Sequence, residues 1–307
     1  MPSFSARASQ ASYVVLPENV TDKNTVLAFL VWHFKQIPAD IWRQRIVEGK
    51  VHWRNGDLID LETAFVPRER VYYYREVIQE SLIPFTERIL YQDEQILIAY
   101  KPAFLAVNPS GQFVNECLVN RLRNRISCPD LIATHRLDRA TSGLMLMSLN
   151  KATRHDYHQL FKTGNILKEY HALAYLTPEL LNEYHNGRLV LPRHWSIKNR
   201  MGKSEPSFMM KIIEGEPNSH SIISLIAVKG TVGLFLLKPI TGKTHQLRVH
   251  MASLGMSLIH DTLYPNLQDK APDNFTRPLK LMAKRLCFTD PITHIKHDIS
   301  CEGFEGF

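Results

Sequence analysis

The stretch that decides the fold reads HRLDRATSGLMLMSL and covers residues 135–149. Its second part, Leu144–Leu149, is an apolar run that predicts a buried strand. Its first part is polar and predicts a loop directly before that strand, where a rigid scaffold can present reactive side chains. In this loop Asp138 lies between Arg136 and Arg139, whose positive charges favour an ionised carboxylate. Such a carboxylate can act as a nucleophile or a base, although a salt-bridged surface loop has the same local sequence.

The elements around this strand predict the fold class. Apolar or alternating runs predict further strands, and apolar residues at helical spacing predict helices. The strands are expected at 96–99, 166–176 and 232–237, and the helices at 115–125, 151–162 and 243–254. Strands and helices are interspersed without the regular alternation of a doubly wound fold. We therefore expect an α+β fold with a mixed, mainly antiparallel sheet.

Residues 24–75 predict a separate small α+β module. Two short apolar periodicities indicate helices, and Asn55-Gly56 predicts the tight turn of a hairpin that follows Val51. Arg70 to Arg75 indicates a further strand, and the region around Pro84 indicates a linker. We place the N-terminal module and its linker at 1–80 and a larger domain at 81–307.

The composition is that of an ordinary globular chain. Of 307 residues, 44% are hydrophobic and 22% are charged, which excludes a disordered or fibrous protein. No run approaches the roughly 18 apolar residues of a membrane span, and we expect no secretory signal. Four scattered cysteines without a CxxC pair favour a reducing compartment, so we expect a cytoplasmic protein without disulfides. The net charge of +7 is compatible with a polyanionic partner but does not identify one.

A second polar block reads TGKTHQLRVH over residues 241–250. It is not a nucleotide-binding phosphate loop, because Gly233 lies nine positions before Gly242, where the GxxxxGK pattern requires five. On the predicted helix, Arg248 points away from the apolar stripe, and its guanidinium suits a carboxylate or a phosphate. An arginine on a solvated helix face is the alternative.

Two further features carry polar side chains. Lys168 and Tyr170 point to the same side of a predicted strand, which by itself is an ordinary sheet face. Residues 188–211 hold six basic residues against Glu205, with Trp195 and Phe208 between them. This segment is either an exposed hairpin that lies along phosphates or a solvated loop. Histidine spacing indicates no metal site, and no serine-hydrolase elbow is present.

Four motifs, in this order, resemble the RluA family of pseudouridine synthases. They are Lys101-Pro102 after a strand, HRLDRATSGL at 135–144, the strand with Lys168 and Tyr170, and TGKTHQLRVH at 241–250. The tail at 277–291 also fits the family. The resemblance covers about residues 89–307. It implies the pseudouridine synthase fold and isomerisation of uridine to pseudouridine in ribosomal or transfer RNA, with no cofactor and no metal.

The resemblance also implies roles for individual residues. Asp138 would attack the anomeric carbon of the sugar or take the proton from the neighbouring carbon, and these two routes stay open. Arg248 would pair with Asp138, and Tyr170 would stack on the uracil. Arg136 would fill the gap that the extruded base leaves. The expected RNA-binding residues are Arg136, Arg139, Lys168, Lys198, Arg200 and Lys243, and we expect a monomer.

This sequence departs from the family pattern at three places. Lys243 stands where the family usually has arginine, Met256-Ser257 where it has His-Pro, and His260 where it has glycine. Residues 24–75 resemble, more faintly, the alpha-L RNA-binding module, through 46–49, Val51 and Asn55-Gly56. Because the basic residues of that module are few here, it is either degenerate or docks on the larger domain.

Two other classes of function remain open. The first is a non-catalytic RNA-binding protein that retains the synthase fold, against which the presence of Asp138, Tyr170 and Arg248 together argues. The second is a hydrolase that acts on a free nucleoside or nucleotide, against which the basic segment 188–211 argues.

Overall fold

The computed structural model of the chain describes residues 6–8, 10–20, 22–77 and 80–307. These residues form two compact units. The N-terminal unit runs to Ser81 and also includes the loop Pro109–Glu116, and the C-terminal unit comprises Leu82–Asn108 and Cys117–Phe307.

The N-terminal unit combines two helices with short strands. The strands are β1 (Ala6–Arg7), β2 (Ser12–Val15), β3 (Val51–Trp53), β4 (Arg70–Tyr73) and β5 (Glu76–Val77), and the helices are α1 (Val26–His33) and α2 (Ala39–Val47). β2, β4 and β3 form an antiparallel sheet in that order, and β1 pairs with β5. One face of the sheet packs on the helices through an apolar core that includes Trp42, Leu30 and Val71.

Local sequence explains the ends of these helices. The Thr25 hydroxyl oxygen accepts a hydrogen bond from the Ala28 N–H at 3.2 Å, which begins α1. Gly49, at φ +68°, follows the end of α2 in the left-handed conformation that glycine adopts readily. The turn at Asn55-Gly56 forms as predicted, with Gly56 at φ +94°. Its second arm joins β3 through a bridge between His52 and Leu58, where the Trp53 N–H donates to the Asp57 carbonyl at 2.8 Å and the Ile59 N–H to the Val51 carbonyl at 3.1 Å.

The C-terminal unit is built on one large sheet. Its helices are α3 (Leu118–Ile126), α4 (Arg154–Thr163), α5 (Pro178–His185) and α6 (Gln246–Ser253). Its strands are β6 (Arg88–Gln92), β7 (Ile96–Lys101), β8 (Ile132–Ala133), β9 (Ser142–Ser148), β10 (Ile166–Tyr175), β11 (Arg193–Lys203), β12 (Met210–Ile213), β13 (Ser219–Lys229), β14 (Val232–Pro239), β15 (Leu281–Thr289) and β16 (Lys296–Ser300).

The order of strands confirms the expected α+β class. The main path is β12-β11-β13-β14-β10-β15-β9-β7-β6, with β16 on β15 and β8 on β9. All of these pairs are antiparallel except that between β9 and β15. Apolar side chains of β10, β13 and β14 form one core with α5 and α6. A second core joins β7, β9 and β15 to α4.

Two expected elements differ in the structure. The helix predicted at 243–254 begins only at Gln246, because His245 takes a left-handed conformation at φ +55°. The Gln246 side-chain oxygen accepts from the Lys243 N–H at 3.0 Å and from the Thr241 hydroxyl at 2.7 Å, which holds 241–245 as a loop. For the basic segment 188–211 the solvated-loop alternative is wrong and the hairpin is present: β11 pairs through residues 193–199 with β13 and through residues 200–203 with β12.

Candidate active site

A pocket in the C-terminal unit brings the three polar blocks together. The loop at 135–141, the loop at 241–245 with the start of α6, and the middle of β10 all contribute to its lining. Six of the nine predicted site residues line it, namely Arg136, Asp138, Lys168, Tyr170, Lys243 and Arg248. The blocks are far apart in sequence, and the sheet makes them neighbours because β10, β15 and β9 are adjacent strands.

Lys101 holds the loop that carries Asp138. This side chain is completely buried, and its ammonium donates to the carbonyls of Pro102 at 2.9 Å, Leu105 at 2.8 Å and Arg139 at 3.2 Å. Burial lowers the pKa of Lys101 to about 7. When the side chain is an ammonium, each of its three protons has one of these carbonyls as its acceptor. The Lys-Pro motif therefore fixes the end of β7 to the backbone next to Asp138.

Gly143 lets the same loop enter the sheet. Its φ is +112°, and a Cβ at this position would lie 2.3 Å from the Ala283 carbonyl oxygen. Ala283 is its partner in the parallel pair of β9 and β15. Only glycine permits this close approach, so the glycine of the TSGL sequence is required by the backbone and not by chemistry.

His135 connects the loop to β9 and α4. Its Nε2 accepts a hydrogen bond from the Leu146 N–H at 3.1 Å, and its ring stacks on Phe161 with centroids 4.3 Å apart. Burial, followed by the charge of Lys168, lowers the pKa of His135 to about 3, so the ring is neutral. The Thr141 N–H donates to the Asp138 carbonyl at 3.1 Å, which closes the turn between them.

Asp138 faces α6 and not the neighbouring arginines of its own loop. Its Oδ2 lies 3.6 Å from Arg248 Nη1 and 3.7 Å from His245 Nε2. The pairing of Arg248 with Asp138 that the resemblance implies is thus present as an ion pair. The interpretation of residues 136–139 as a loop whose own arginines hold Asp138 is wrong, because Arg139 turns away to form a two-pronged ion pair with Asp273.

Arg248 is buried, which contradicts the alternative of a solvated helix face. Its Nε and Nη2 donate to the two carboxylate oxygens of Asp261 at 2.8 and 2.5 Å. Burial opposes the charge of Arg248, but the hydrogen bonds and charge of Asp261, with help from Asp138, raise its pKa. Asp261 also accepts from the backbone N–H groups of Leu263 and Tyr264. Asp261 therefore holds the guanidinium through Nε and Nη2, and Nη1 remains to face Asp138.

His245 forms a second connection to Asp138. Its Nδ1 lies 2.8 Å from the Tyr264 hydroxyl, whose oxygen accepts from the Met210 N–H at 2.8 Å. Nε2 faces the carboxylate of Asp138, which only accepts, so the proton of the neutral ring lies on Nε2 and Nδ1 accepts from the Tyr264 hydroxyl. Burial lowers the pKa of His245, which favours this neutral form, while the charge of Asp138 opposes the effect.

Asp261, Tyr264 and His245 were not predicted as site residues. Asp261 and Tyr264 lie in the segment HDTLY, which departs from the family pattern only at His260. A buried carboxylate opposite a buried arginine is recognisable only once α6 and this segment are seen in contact. The helix predicted at 243–254 includes His245, whereas this residue lies in the loop before α6.

Tyr170 and Lys168 form the wall of the pocket on β10. Burial, followed by the charge of Asp138, raises the pKa of the Tyr170 phenol, so it is protonated near neutral pH. Burial lowers the pKa of Lys168. Glu169, between them, points to the other side of the strand, where it pairs with Lys238 at 2.8 Å and Arg285 at 3.3 Å. Lys168 and Tyr170 therefore share the pocket side of β10 as predicted, although a register shift between Glu169 and Tyr170 interrupts the pairing with β15.

Known proteins resemble both the sequence and the fold. The sequence profile of the family described as RNA pseudouridylate synthase matches residues 95–253. The dual-specificity RNA pseudouridine synthase RluA of Vibrio cholerae is 32% identical over 209 residues, which are 67% of this chain and 78% of the relative. The same enzyme of Yersinia pestis is 29% identical over 70% of this chain and 98% of its own length.

The chain belongs to the RluA family of RNA pseudouridine synthases.

Other members of the family are matched over less of their length. The mitochondrial tRNA pseudouridine(32) synthase of Saccharomyces cerevisiae is 22% identical over 81% of this chain and 52% of its own length. RNA pseudouridine synthase 7 of Arabidopsis thaliana is matched over 60% of its length. Among solved structures, human RNA pseudouridylate synthase domain containing 1 has a TM-score of 0.56 at 23% identity and covers 73% of this chain and 86% of its own. It shows the same fold.

The pseudouridine synthase fold places the predicted RNA-binding residues in three settings. Arg136 and Lys243 are exposed at the pocket. Lys198 and Arg200 are exposed on β11, outside the pocket lining. Arg139 is paired with Asp273 and also donates to the Phe104 carbonyl at 3.0 Å, so a phosphate would have to displace these partners.

Other features of the described residues bear on the class of protein. No group of three or more histidine, cysteine, aspartate or glutamate side chains in this part of the chain could hold a metal ion. None of the described helices is both long and apolar enough to cross a membrane.

Proposed function

We propose that this chain isomerises specific uridines to pseudouridine in structured ribosomal or transfer RNA, with Asp138 as the reacting carboxylate. The observation that carries the proposal is the pairing of Asp138, in an open pocket, with a buried Arg248 that a second carboxylate holds in place. The names of the relatives add support, since they include transfer RNA synthases and dual-specificity synthases. We also propose that it works in the cytoplasm, as a monomer, without a metal or cofactor.

In this reaction the bond between the sugar and nitrogen 1 of uracil breaks and a bond to carbon 5 forms. Nitrogen 1 gains a proton, carbon 5 loses one, and no group enters or leaves. Asp138 attacks the anomeric carbon or removes the neighbouring proton, and both routes require an ionised carboxylate. Arg248 Nη1 and the Nε2–H of His245 face Asp138 Oδ2, at 3.6 and 3.7 Å, and orient the carboxylate.

Tyr170 stacks on the uracil ring, near the carbon 5 that loses its proton. Its raised pKa keeps the phenol protonated at neutral pH. The base must leave the RNA stack to reach this ring, at a cost of a few kcal/mol. Arg136, which is exposed at the pocket, occupies the gap that the base leaves.

The test is release of tritium from RNA that carries uridine labelled at carbon 5. We expect release by the native chain, none by Asp138→Asn, and normal release by Asp130→Asn, whose carboxylate is exposed and outside the pocket lining. RNA binding, measured in parallel, should survive in Asp138→Asn. Substantial turnover by that variant would falsify the assignment of Asp138.

The two other classes of function have different outcomes. A non-catalytic RNA-binding protein would release no tritium from any cellular RNA, and a nucleotide hydrolase would act on free uridine monophosphate. Mapping of pseudouridines by carbodiimide-based sequencing, in a deletion strain and its parent, identifies the RNA and the uridine.

A further inference from the structure

The N-terminal unit presents a row of rings on the solvent-facing side of its sheet. Tyr13 on β2, Tyr72 on β4 and His52 on β3 lie opposite one another in register. The ring centroids of Tyr13 and Tyr72 are 5.5 Å apart. Those of His52 and Tyr72 are also 5.5 Å apart, with the rings nearly parallel. We call Tyr13, Tyr72 and His52 the aromatic row.

Arginines flank the aromatic row. The Arg70 guanidinium lies 4.9 Å from the centre of the Tyr13 ring, and that of Arg7 lies 3.9 Å from the centre of the Tyr74 ring. The outward positions of the three strands are Tyr13, Val15, His52, Arg70 and Tyr72, and none of them is acidic. Tyr13 is 53% exposed and Val15 47%. This face thus combines exposed rings with positive charge.

The segment from α2 to Lys50, which contains part of the resemblance to an alpha-L module, offers less. Arg45 and Lys50 both pair with Glu76, whose side chain is only 3% exposed. A phosphate that bound either cation would take away one of the two positive partners of this buried carboxylate, which is unfavourable. If this unit contacts RNA, the sheet face is the better equipped surface.

We propose that the solvent-facing side of the β2-β4-β3 sheet binds unpaired RNA. Exposed bases stack on the aromatic row, and phosphates contact Arg70 and Arg7. Stacking on aromatic rings and guanidinium planes is how proteins recognise single strands, whereas the bases of a duplex are already stacked inside it. The proposal rests on the proposed function only in taking RNA as the substrate, and it concerns a surface distinct from the pocket.

The test measures binding of the full-length chain to fluorescein-labelled oligouridylate of about 12 nucleotides, by fluorescence anisotropy. We expect Tyr13→Ala and Tyr72→Ala each to weaken binding about fivefold or more. Tyr13→Phe should bind normally, because the ring face remains. Tyr175→Ala is the matched control, since this tyrosine is 57% exposed on β10 of the other unit and should have no effect. Because Tyr13 is exposed on an edge strand, its variants are expected to fold.

Salt dependence separates stacking from charge. Arg70→Gln should reduce the slope of log affinity against log salt by about 0.7, and Tyr13→Ala should leave that slope unchanged. Three results would overturn the proposal: oligouridylate affinity unaffected by Tyr13→Ala, equal losses for Tyr13→Phe and Tyr13→Ala, or equal losses for an RNA duplex. A change in oligomeric state on sedimentation, without a change in oligouridylate affinity, would identify a protein contact instead and also overturn it.

Tritium release, measured on the same variants, keeps the two proposals separate. If tritium release is normal and oligouridylate binding is unchanged in the Tyr13 and Tyr72 variants, only the proposed binding surface is contradicted. Absence of release from any RNA, combined with binding that depends on the aromatic row, overturns the synthase activity and leaves the surface in place.

Discussion

At the scale of single residues, Asp138 depends on side chains from a distant part of the chain. Arg248 and His245 both approach its Oδ2, and each is held by a further residue, Asp261 or Tyr264. The carboxylate is thus oriented by two supported contacts and not by the arginines beside it in sequence. Disturbing the supports should therefore affect the reaction without removing any residue that contacts the RNA.

We predict that Arg248→Met destabilises the fold and abolishes activity. The loss of Arg248 leaves the buried Asp261 carboxylate without its positively charged partner, which lowers the free energy of unfolding by about 3–5 kcal/mol. Adding Asp261→Asn should restore much of the melting temperature but none of the tritium release, because Asp138 still lacks its cation. If the double variant regained activity, Arg248 would have only a structural role.

We predict that Tyr264→Phe lowers the single-turnover rate about 3- to 10-fold with little change in RNA affinity. The loss of one hydrogen bond to His245, about 1 kcal/mol, weakens the orientation of the Nε2–H towards Asp138. Tyr91→Phe, which removes the hydrogen bond from that tyrosine to Asp93 outside the pocket lining, should not alter the rate. Equal rate losses in the two variants would argue against the connection through His245.

At the scale of elements, the entry of the polar loop into β9 is decided by one glycine. Gly143 lies against the backbone of Ala283 on β15 and has no Cβ that would clash there. The parallel pair and the position of Asp138 therefore depend on glycine at this position. A short loop held at both ends, by Lys101 and by this pairing, keeps Asp138 in place.

We predict that Gly143→Ala lowers the free energy of unfolding by about 3 kcal/mol or more, from the clash and the positive φ together. Gly164→Ala is the matched control, since Gly164 has φ +77° but open space around it, and it should cost about 1 kcal/mol. Urea unfolding measures both. Similar values for the two variants would mean that the approach to Ala283 is relieved by small shifts.

Strand β11 is the second element with a testable role. Lys198 and Arg200 are exposed on it. We predict that Lys198→Glu with Arg200→Glu weakens binding of substrate RNA and reduces its salt slope by about one to two units. Lys296→Glu, a charge reversal on the exposed start of β16, is the control. An unaltered slope would exclude β11 from the RNA interface.

At the scale of the whole molecule, buried histidines should make the fold sensitive to acid. Burial lowers the pKa of His135 to about 3 and that of His250 to about 4, whereas both titrate near 6.5 in the unfolded chain. Between these values the unfolded chain binds protons that the folded chain does not. Stability is therefore complete above about pH 6.5 and is lost as the pH falls below it. Carboxylates with a lowered pKa, such as Glu169, also stabilise the fold, and their contribution is lost only at still lower pH.

We predict that the free energy of unfolding falls between pH about 7.5 and about 5, and that His135→Gln removes about 2 kcal/mol of this fall. The glutamine amide oxygen can still accept from the Leu146 N–H but does not titrate. Urea unfolding at the two pH values is the measurement. An undiminished fall in the variant would show that His135 is not a source of the acid sensitivity.

The sequence by itself predicted much of this protein. Apolar runs and alternation predicted β7, β9, β10 and β14, because burial dictates their side chains locally. The motifs around Asp138, Tyr170 and Arg248 predicted the family, and the expected α+β class is confirmed.

Tertiary structure alone decided the partners of the charged groups. Arg139 pairs with Asp273, Arg248 with Asp261, and His245 with Tyr264, although each partner is distant in sequence. Ion pairs and hydrogen bonds depend on distances of a few ångströms between side chains, and these are set by which strands become neighbours. Local sequence fixes where a strand runs, but only the assembled sheet determines which charges meet.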